Sequence, residues 1–405
     1  MNNLHRKYFL GFLITITCSV TLFFSYQKYR AQKISLAHMQ AQKYYTMAKQ
    51  FHSKRDFNNA LIAYKNTIAC DSHHEFAYKA MGYAYLDMGD LPHAWASFGQ
   101  SDDLYKSTAE NPWWTDSNPT GKTILIQDAG GFDGNPSIGK GFGDCFQALR
   151  YAKKLKKYQT TIIVQARPAL IPLLSHCPYI DTLIAEGTPC PPYDIKTTTA
   201  RLFRNFNTSI NSIPHEIPYL YAAPELIDHW KRKLSHDTHL KIGLCWNSQR
   251  YVFTNTNTNS KSILHDQRPI PVEHLMQLAK LPKISLYSLQ KIAGPEKNSY
   301  APIISFGPEF DATHGSFMDT AALMKNLDLV ITVDTAIAHL AGALGIPVWV
   351  LLPYVADWRW FSNRDDSPWY PSMRLFRQPR TGDWNSVMHK VAYELNKLLE
   401  KKYPH

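Results

Sequence analysis

Val330-Ile331-Thr332-Val333-Asp334-Thr335-Ala336-Ile337-Ala338-His339-Leu340-Ala341-Gly342-Ala343-Leu344-Gly345-Ile346-Pro347 reads as an apolar strand that runs straight into a helix. The first helical turn carries Asp334, Thr335 and Ala336. A hydroxyl and a methyl leave the unsatisfied N–H groups of a helix start open to an anionic group such as a diphosphate. His339 stands one turn beyond Thr335 on the same face and can reach the same ligand. A lone histidine is more often a satisfied core residue; its place beside a helix start favours the binding role here.

Outward from this stretch the pattern repeats. Apolar strands are expected at 123–128, 161–165, 182–185, 241–246, 284–289, 329–334 and 348–352, alternating with amphipathic helices. That alternation predicts parallel sheets covered by helices on both faces. The spacing divides the body into two units, 121–235 and 236–385, joined near the helix Pro224–Leu234, with a closing helix over 386–405. Ligands of such sheets sit beyond the carboxyl ends of the strands, so chemistry belongs in the loops after Asp128, Trp246, Leu289 and Asp334.

Two further glycine-rich features fall near those loops. Gly134 to Gly141 fits G-x-x-x-x-G-K of a phosphate-binding loop, but the residue after Lys140 is Gly141 rather than the Ser or Thr that holds magnesium. A glycine loop crossing a cleft explains the same residues. Gly141-Phe142-Gly143-Asp144 opens a helix expected over Cys145–Lys157. Its aspartate is either a helix cap or a general base facing the cleft.

The run D-T-A-I-A-H-L-A-G-A-L-G-I-P resembles the nucleotide-sugar motif of glycosyltransferase family 9, the ADP-heptose heptosyltransferases of lipopolysaccharide synthesis. Further shared pieces are G-F-G-D-C-F-Q-A-L-R-Y-A (141–152), I-G-L-C-W-N (242–247), R-P-I-P (268–271), S-L-Q (288–290), D-W-R-W (357–360), S-P-W-Y-P-S-M-R-L-F-R-Q-P (367–379) and G-D-W (382–384). The resemblance covers roughly 121–400 and implies an α/β GT-B fold: two Rossmann-like domains, acceptor on the first and donor on the second. It implies an inverting transferase that needs neither metal nor cofactor and draws on a nucleotide-diphospho-sugar. By matching positions Asp144 is the general base, and Asp334, Thr335, Ala336 and His339 line the donor diphosphate and sugar. Arg268 is similar to a basic residue that neutralises phosphate charge, and Trp246, Asn247 and Gln290 lie on loops facing the nucleotide. Residues 130–140 and 248–267 stand out as polar inserts bordering the cleft. Trp358, Trp360, Trp369 and Tyr370 are placed to stack on a base or sugar, although aromatics at this density usually pack a core.

Upstream, sliding the chain by 34 positions superposes Tyr44/Tyr78, Met47/Met81, Ala48/Gly82, Phe51/Tyr85, Ala60/Ala94 and Tyr64/Phe98. Asp56 and Asp90 mark the turns, and the small residues let paired helices approach. The positions are those of tetratricopeptide (TPR) repeats, two of them over 41–108, although the motif's late proline is replaced by Ser72. Two such units are fewer than usually stand alone, so a capping helix over 28–40 or the following domain is expected to support them. The repeats point to a protein partner.

Residues 9–26 form an uncharged apolar run. Spanning a bilayer takes about 17–25 residues, so this is long enough for an anchor. The competing reading, a cleaved signal peptide, lacks a small-residue cleavage site before Tyr26-Gln27-Lys28. Lys28, Arg30 and Lys33 outnumber Arg6 and Lys7, which places the body on the cytoplasmic side of a single-pass bacterial inner-membrane anchor. The net charge of +11 comes without any nucleic-acid motif. Six cysteines are scattered, with neither C-x-x-C nor a zinc-ligand spacing, so no disulfide and no zinc are expected. The acceptor is left open among glycan, lipid and protein. The competing function is a membrane-anchored TPR scaffold whose transferase fold has lost catalysis.

Overall fold

A computed structural model describes residues 3–103, 113–114, 118–128, 141–248, 267–291 and 301–404. The chain forms two compact units: one from Met1–Tyr85 with Ala96–Lys106, the other from Leu86–Trp95 with Ser107–His405.

The N-terminal unit is helical. Helix α1 (Asn3–Ser53) precedes α2 (Phe57–Cys70), and the pair α3 (Glu75–Met88) and α4 (Leu91–Asp103) follows. Asp56 starts α2 by accepting a hydrogen bond from the Asn59 N–H at 3.3 Å, the usual way to satisfy a helix-start donor. Ala48 and Ala60 are fully buried, so α1 and α2 approach closely, with Tyr64, Ala77, Met81 and Ala84 completing the core. Gly82 does the same between α3 and α4: a Cβ there would lie 2.8 Å from the Phe98 ring. The expected capping helix over 28–40 is not separate. It continues α1, because no glycine or proline interrupts the chain between Tyr26 and Ser53. The 9–26 run lies within the backbone of α1, but its side chains fall outside the described residues except for Phe23, Ser25 and Tyr26. Among the described residues no helix is long and apolar enough to cross a membrane.

The second unit holds two wholly parallel sheets. Strands β1 (Thr123–Gln127), β2 (Thr161–Ala166), β3 (Thr182–Ala185) and β4 (Ile195–Thr198) lie in the order β3-β2-β1-β4. Strands β5 (Leu240–Cys245), β6 (Ile284–Ser288), β7 (Leu329–Val333), β8 (Val348–Leu352) and β9 (Met373–Arg377) lie in the order β6-β5-β7-β8-β9. Every residue of β7 and of β8 is buried, as expected of strands covered on both faces. The covering helices are α5 (Phe142–Ala148), α6 (Arg150–Leu155), α7 (Ile171–Leu174), α8 (Leu202–Asn205), α9 (Pro224–Lys233), α10 (Val272–Met276), α11 (Met318–Met324), α12 (Ala336–Leu344) and α13 (Trp384–Lys402).

The seven strands expected from sequence each form within one residue of the expected bounds. Strands β4 and β9 were not foreseen. The helix expected over Cys145–Lys157 starts earlier, at Phe142, and breaks at Leu149 between α5 and α6. Sheet order reverses between β1 and β4 and again between β5 and β7, the places where open parallel sheets leave a crevice for ligands.

Candidate functional site

At the second reversal, the loop after β5 and the start of α12 face each other. Thr335 caps α12, its Oγ1 accepting from the Ile337 N–H at 3.2 Å. Thr335 and Ala336 are half-buried while Ile337 to Leu344 are buried, so the helix opens to solvent only at its first turn. Arg268 donates from Nη1 to the Asp334 carbonyl at 3.2 Å, which brings a guanidinium to this helix start. The Gln290 Oε1 accepts from the N–H groups of Trp246 at 3.3 Å and Asn247 at 2.9 Å. That acceptor thus holds the loop after β5 in place. Trp246 packs into the core of the second sheet, whereas Asn247 is exposed at the rim.

Asp334 is nearly buried at the end of β7. Burial and the neighbouring Asp357 push its carboxyl up to about 6, with Arg268, the Trp360 indole and Arg359 pulling the other way. His339 lies deeper in α12. Its Nδ1 meets the Tyr370 hydroxyl at 2.8 Å, and its ring stacks on Trp360 with centroids 5.2 Å apart. Burial, reinforced by the cations Arg359 and Arg150, holds the imidazole well below its ordinary pKa and therefore neutral.

The first sheet brings α5 to the same place. A Cβ at Gly143 would lie 2.6 Å from His339 Cδ2 and 3.4 Å from Ala336 Cα, so glycine lets the two helix starts touch. Gly141, not Asp144, occupies the cap position of α5. The cap reading of Asp144 is therefore corrected: its Oδ1 accepts from Arg359 Nη2 at 2.5 Å, an ion pair linking α5 to the segment after β8. Arg359 also bonds Asp357 Oδ1 at 2.8 Å and Gln147 Oε1 at 2.8 Å. Burial works against its charge, yet Asp357, Asp144 and Asp334 hold its pKa above the ordinary value.

The structure thus gathers Asp144, Arg268, Asp334, Thr335, Ala336 and His339 around two abutting helix starts, with Trp246, Asn247 and Gln290 on the adjoining loops. Arg359 was missed. It lies inside the D-W-R-W run, and its pairing with Asp144 joins positions too far apart in the chain for a local pattern to report. Trp358, Trp360, Trp369 and Tyr370 are all buried and support the site from beneath. At the first reversal Asp128 pairs with Arg167 at 2.6 Å, and that guanidinium lies 4.3 Å from the Phe142 ring centroid. The Gly134–Lys140 part of the phosphate-loop pattern and the inserts over 130–140 and 249–266 lie outside the described residues. Among the described residues no group of His, Cys, Asp and Glu is arranged to hold a metal ion.

Two parallel sheets, with the starts of α5 and α12 abutting at Gly143, define an α/β protein. Residues 313–354, which span α11, β7, α12 and β8, match the family described as glycosyltransferase family 9 (heptosyltransferase). Over this segment the body is glycosyltransferase family 9-like. Similar solved structures include a family 9 glycosyl transferase from Veillonella parvula (14% identical, 71% of this chain and 99% of that one, TM-score 0.48). Another is the E. coli ADP-heptose lps heptosyltransferase II (15% identical, 69% and 99% covered, TM-score 0.46). Among curated proteins, Protein FlbA of Caulobacter vibrioides is 29% identical over 189 residues, 45% of this chain. The match spans only 30% of that relative's length.

Proposed function

We propose that this chain is a glycosyltransferase that moves a sugar from a nucleotide-diphospho-sugar to an acceptor hydroxyl by a single inverting displacement. The observation that carries the reading is the meeting of α5, which bears Asp144 next to the contact residue Gly143, with the start of α12, inside a family 9-like body. Asp144 takes the acceptor's proton as its oxygen attacks the anomeric carbon. The bond to the nucleoside diphosphate breaks on the opposite face. The charge on the leaving group is met by the open first turn of α12 and by the guanidiniums of Arg268 and Arg359, an arrangement that stabilises developing charge without a metal.

TPR-type hairpins that choose a partner, and an anchor over 9–26 that holds the body at the cytoplasmic face of a bacterial inner membrane, complete the proposal. The hairpins are supported by the 34-residue register together with the buried small residues between the helices, and the anchor by the uncharged apolar run over 9–26 alone.

One observation favours a second reading. Asp144 Oδ1 is engaged by Arg359 Nη2 at 2.5 Å, a structural pairing between α5 and the segment after β8 that a scaffold without catalysis would also keep. Turnover separates the two. Asp144→Asn is expected to lower transfer from a panel of sugar nucleotides by about 100-fold or more while leaving nucleoside diphosphate binding intact. A wild-type chain that binds nucleotide but transfers no sugar to glycan, lipid or protein acceptors supports the scaffold instead.

A further inference from the structure

Arg150, at the start of α6, is buried to 2% exposure although it carries a full charge. Its Nε donates to the Gln147 carbonyl at 2.8 Å and its Nη1 to the carbonyls of Pro214, at 3.1 Å, and Trp369. Its Nη2 donates to the Tyr219 hydroxyl at 2.9 Å. The guanidinium lies 4.5 Å from the Tyr370 ring centroid and 5.0 Å from that of Tyr219. No part of the proposed transfer uses it.

Proton counting along this chain of contacts fixes a direction. A guanidinium only donates, so the Tyr219 oxygen accepts from Arg150 and sends its own proton onward to the Tyr370 hydroxyl at 3.4 Å. Tyr370 then has its proton free for the His339 Nδ1 at 2.8 Å. A nitrogen that accepts carries no proton, so the ring proton of a neutral His339 sits on Nε2. That edge faces Gly143: a Cβ built there would lie 3.4 Å from Nε2. Among the described residues nothing hydrogen-bonds Nε2.

We propose that Arg150 is a positioning residue which, through Tyr219 and Tyr370, holds His339 as the Nε2–H tautomer and so fixes a neutral donor at the seam between α5 and α12. Naming its ligand as an anionic oxygen of a nucleoside diphosphate rests on the reading above; the tautomer does not. Burial and the nearby cations that keep the imidazole uncharged leave the choice between the two tautomers to this relay.

The test is nitrogen NMR of the full chain with ring-15N histidine, His339 being assigned by the signals lost in His339→Gln. The ligand-free protein is expected to show Nδ1 as unprotonated and Nε2 as protonated. A protonated Nδ1 overturns the proposal. Tyr370→Phe keeps the ring that packs on Gly342 and removes the donor; it is expected to shift His339 toward the other tautomer, and unmoved ring nitrogens overturn the relay. Tyr219→Phe, further from the histidine, is expected to move the same signals in the same direction by less, and it stands in should Tyr370→Phe fail to fold. Absence of nucleotide binding or turnover would sink the transferase reading while leaving the tautomer result as measured.

Discussion

Asp334 and Gly143 each hold the site in a way a single substitution can expose. The Asp334 carboxyl titrates near 6 in the folded chain, above the ordinary value of 3.8. Between those values the native state binds more protons than the unfolded one, so the contribution of this carboxyl to stability is fully present below about pH 4 and is lost as pH rises through 6. The span corresponds to a cost on the order of 3 kcal/mol at neutral pH. Asp334→Asn is therefore expected to melt above the wild type at pH 7.5 and to lose that advantage near pH 4. Thermal melts across that range check it, and equal gaps at both ends would refute the assignment. Gly143→Ala acts by volume. Its methyl meets a histidine pinned by Tyr370 and stacked on Trp360, so overpacking should cost about 1–3 kcal/mol in denaturant unfolding. Nucleotide affinity should weaken with it.

Among the elements, α5 and α12 matter most, because two short helix starts brought together by one glycine create the site. The strand-into-helix run 329–344 was legible because an unbroken apolar stretch followed by Asp-Thr-Ala has few other readings. Strand β4 was not, since Ile195-Lys196-Thr197-Thr198 offers one apolar residue and owes its place to pairing with β1. Strand β9, Met373-Arg374-Leu375-Phe376-Arg377, breaks the alternation of a half-buried strand at Leu375-Phe376, and its register comes from β8. Arg359 was illegible for a different cause: its partner Asp144 is 215 residues away, and no local pattern reports so distant a pairing. In the helical unit, Gly82→Ala is expected to force Phe98 out of its seat against α3. Hydrogen exchange should then show faster opening of α3 and α4 with nucleotide binding unaltered. Protection that remains native in both helices would show the close approach to be dispensable.

At the scale of the molecule, the catalytic proposal needs residues from both sheets of the second unit at once: Asp144 on α5, which abuts α12 at Gly143, and Arg359, which pairs with it. A chain cut between α9 and β5 is thus expected to lose transfer in either piece. The central claim is narrower, that the start of α12 receives a nucleoside diphosphate. The most direct measurement is a crystal structure of the full chain soaked in turn with ADP, UDP, GDP and CDP. The account predicts density for a diphosphate at the Thr335 and Ala336 N–H groups, within reach of Arg268, and its loss in Asp334→Ala. Density seated elsewhere, or none with any of the four at millimolar concentration, would contradict it.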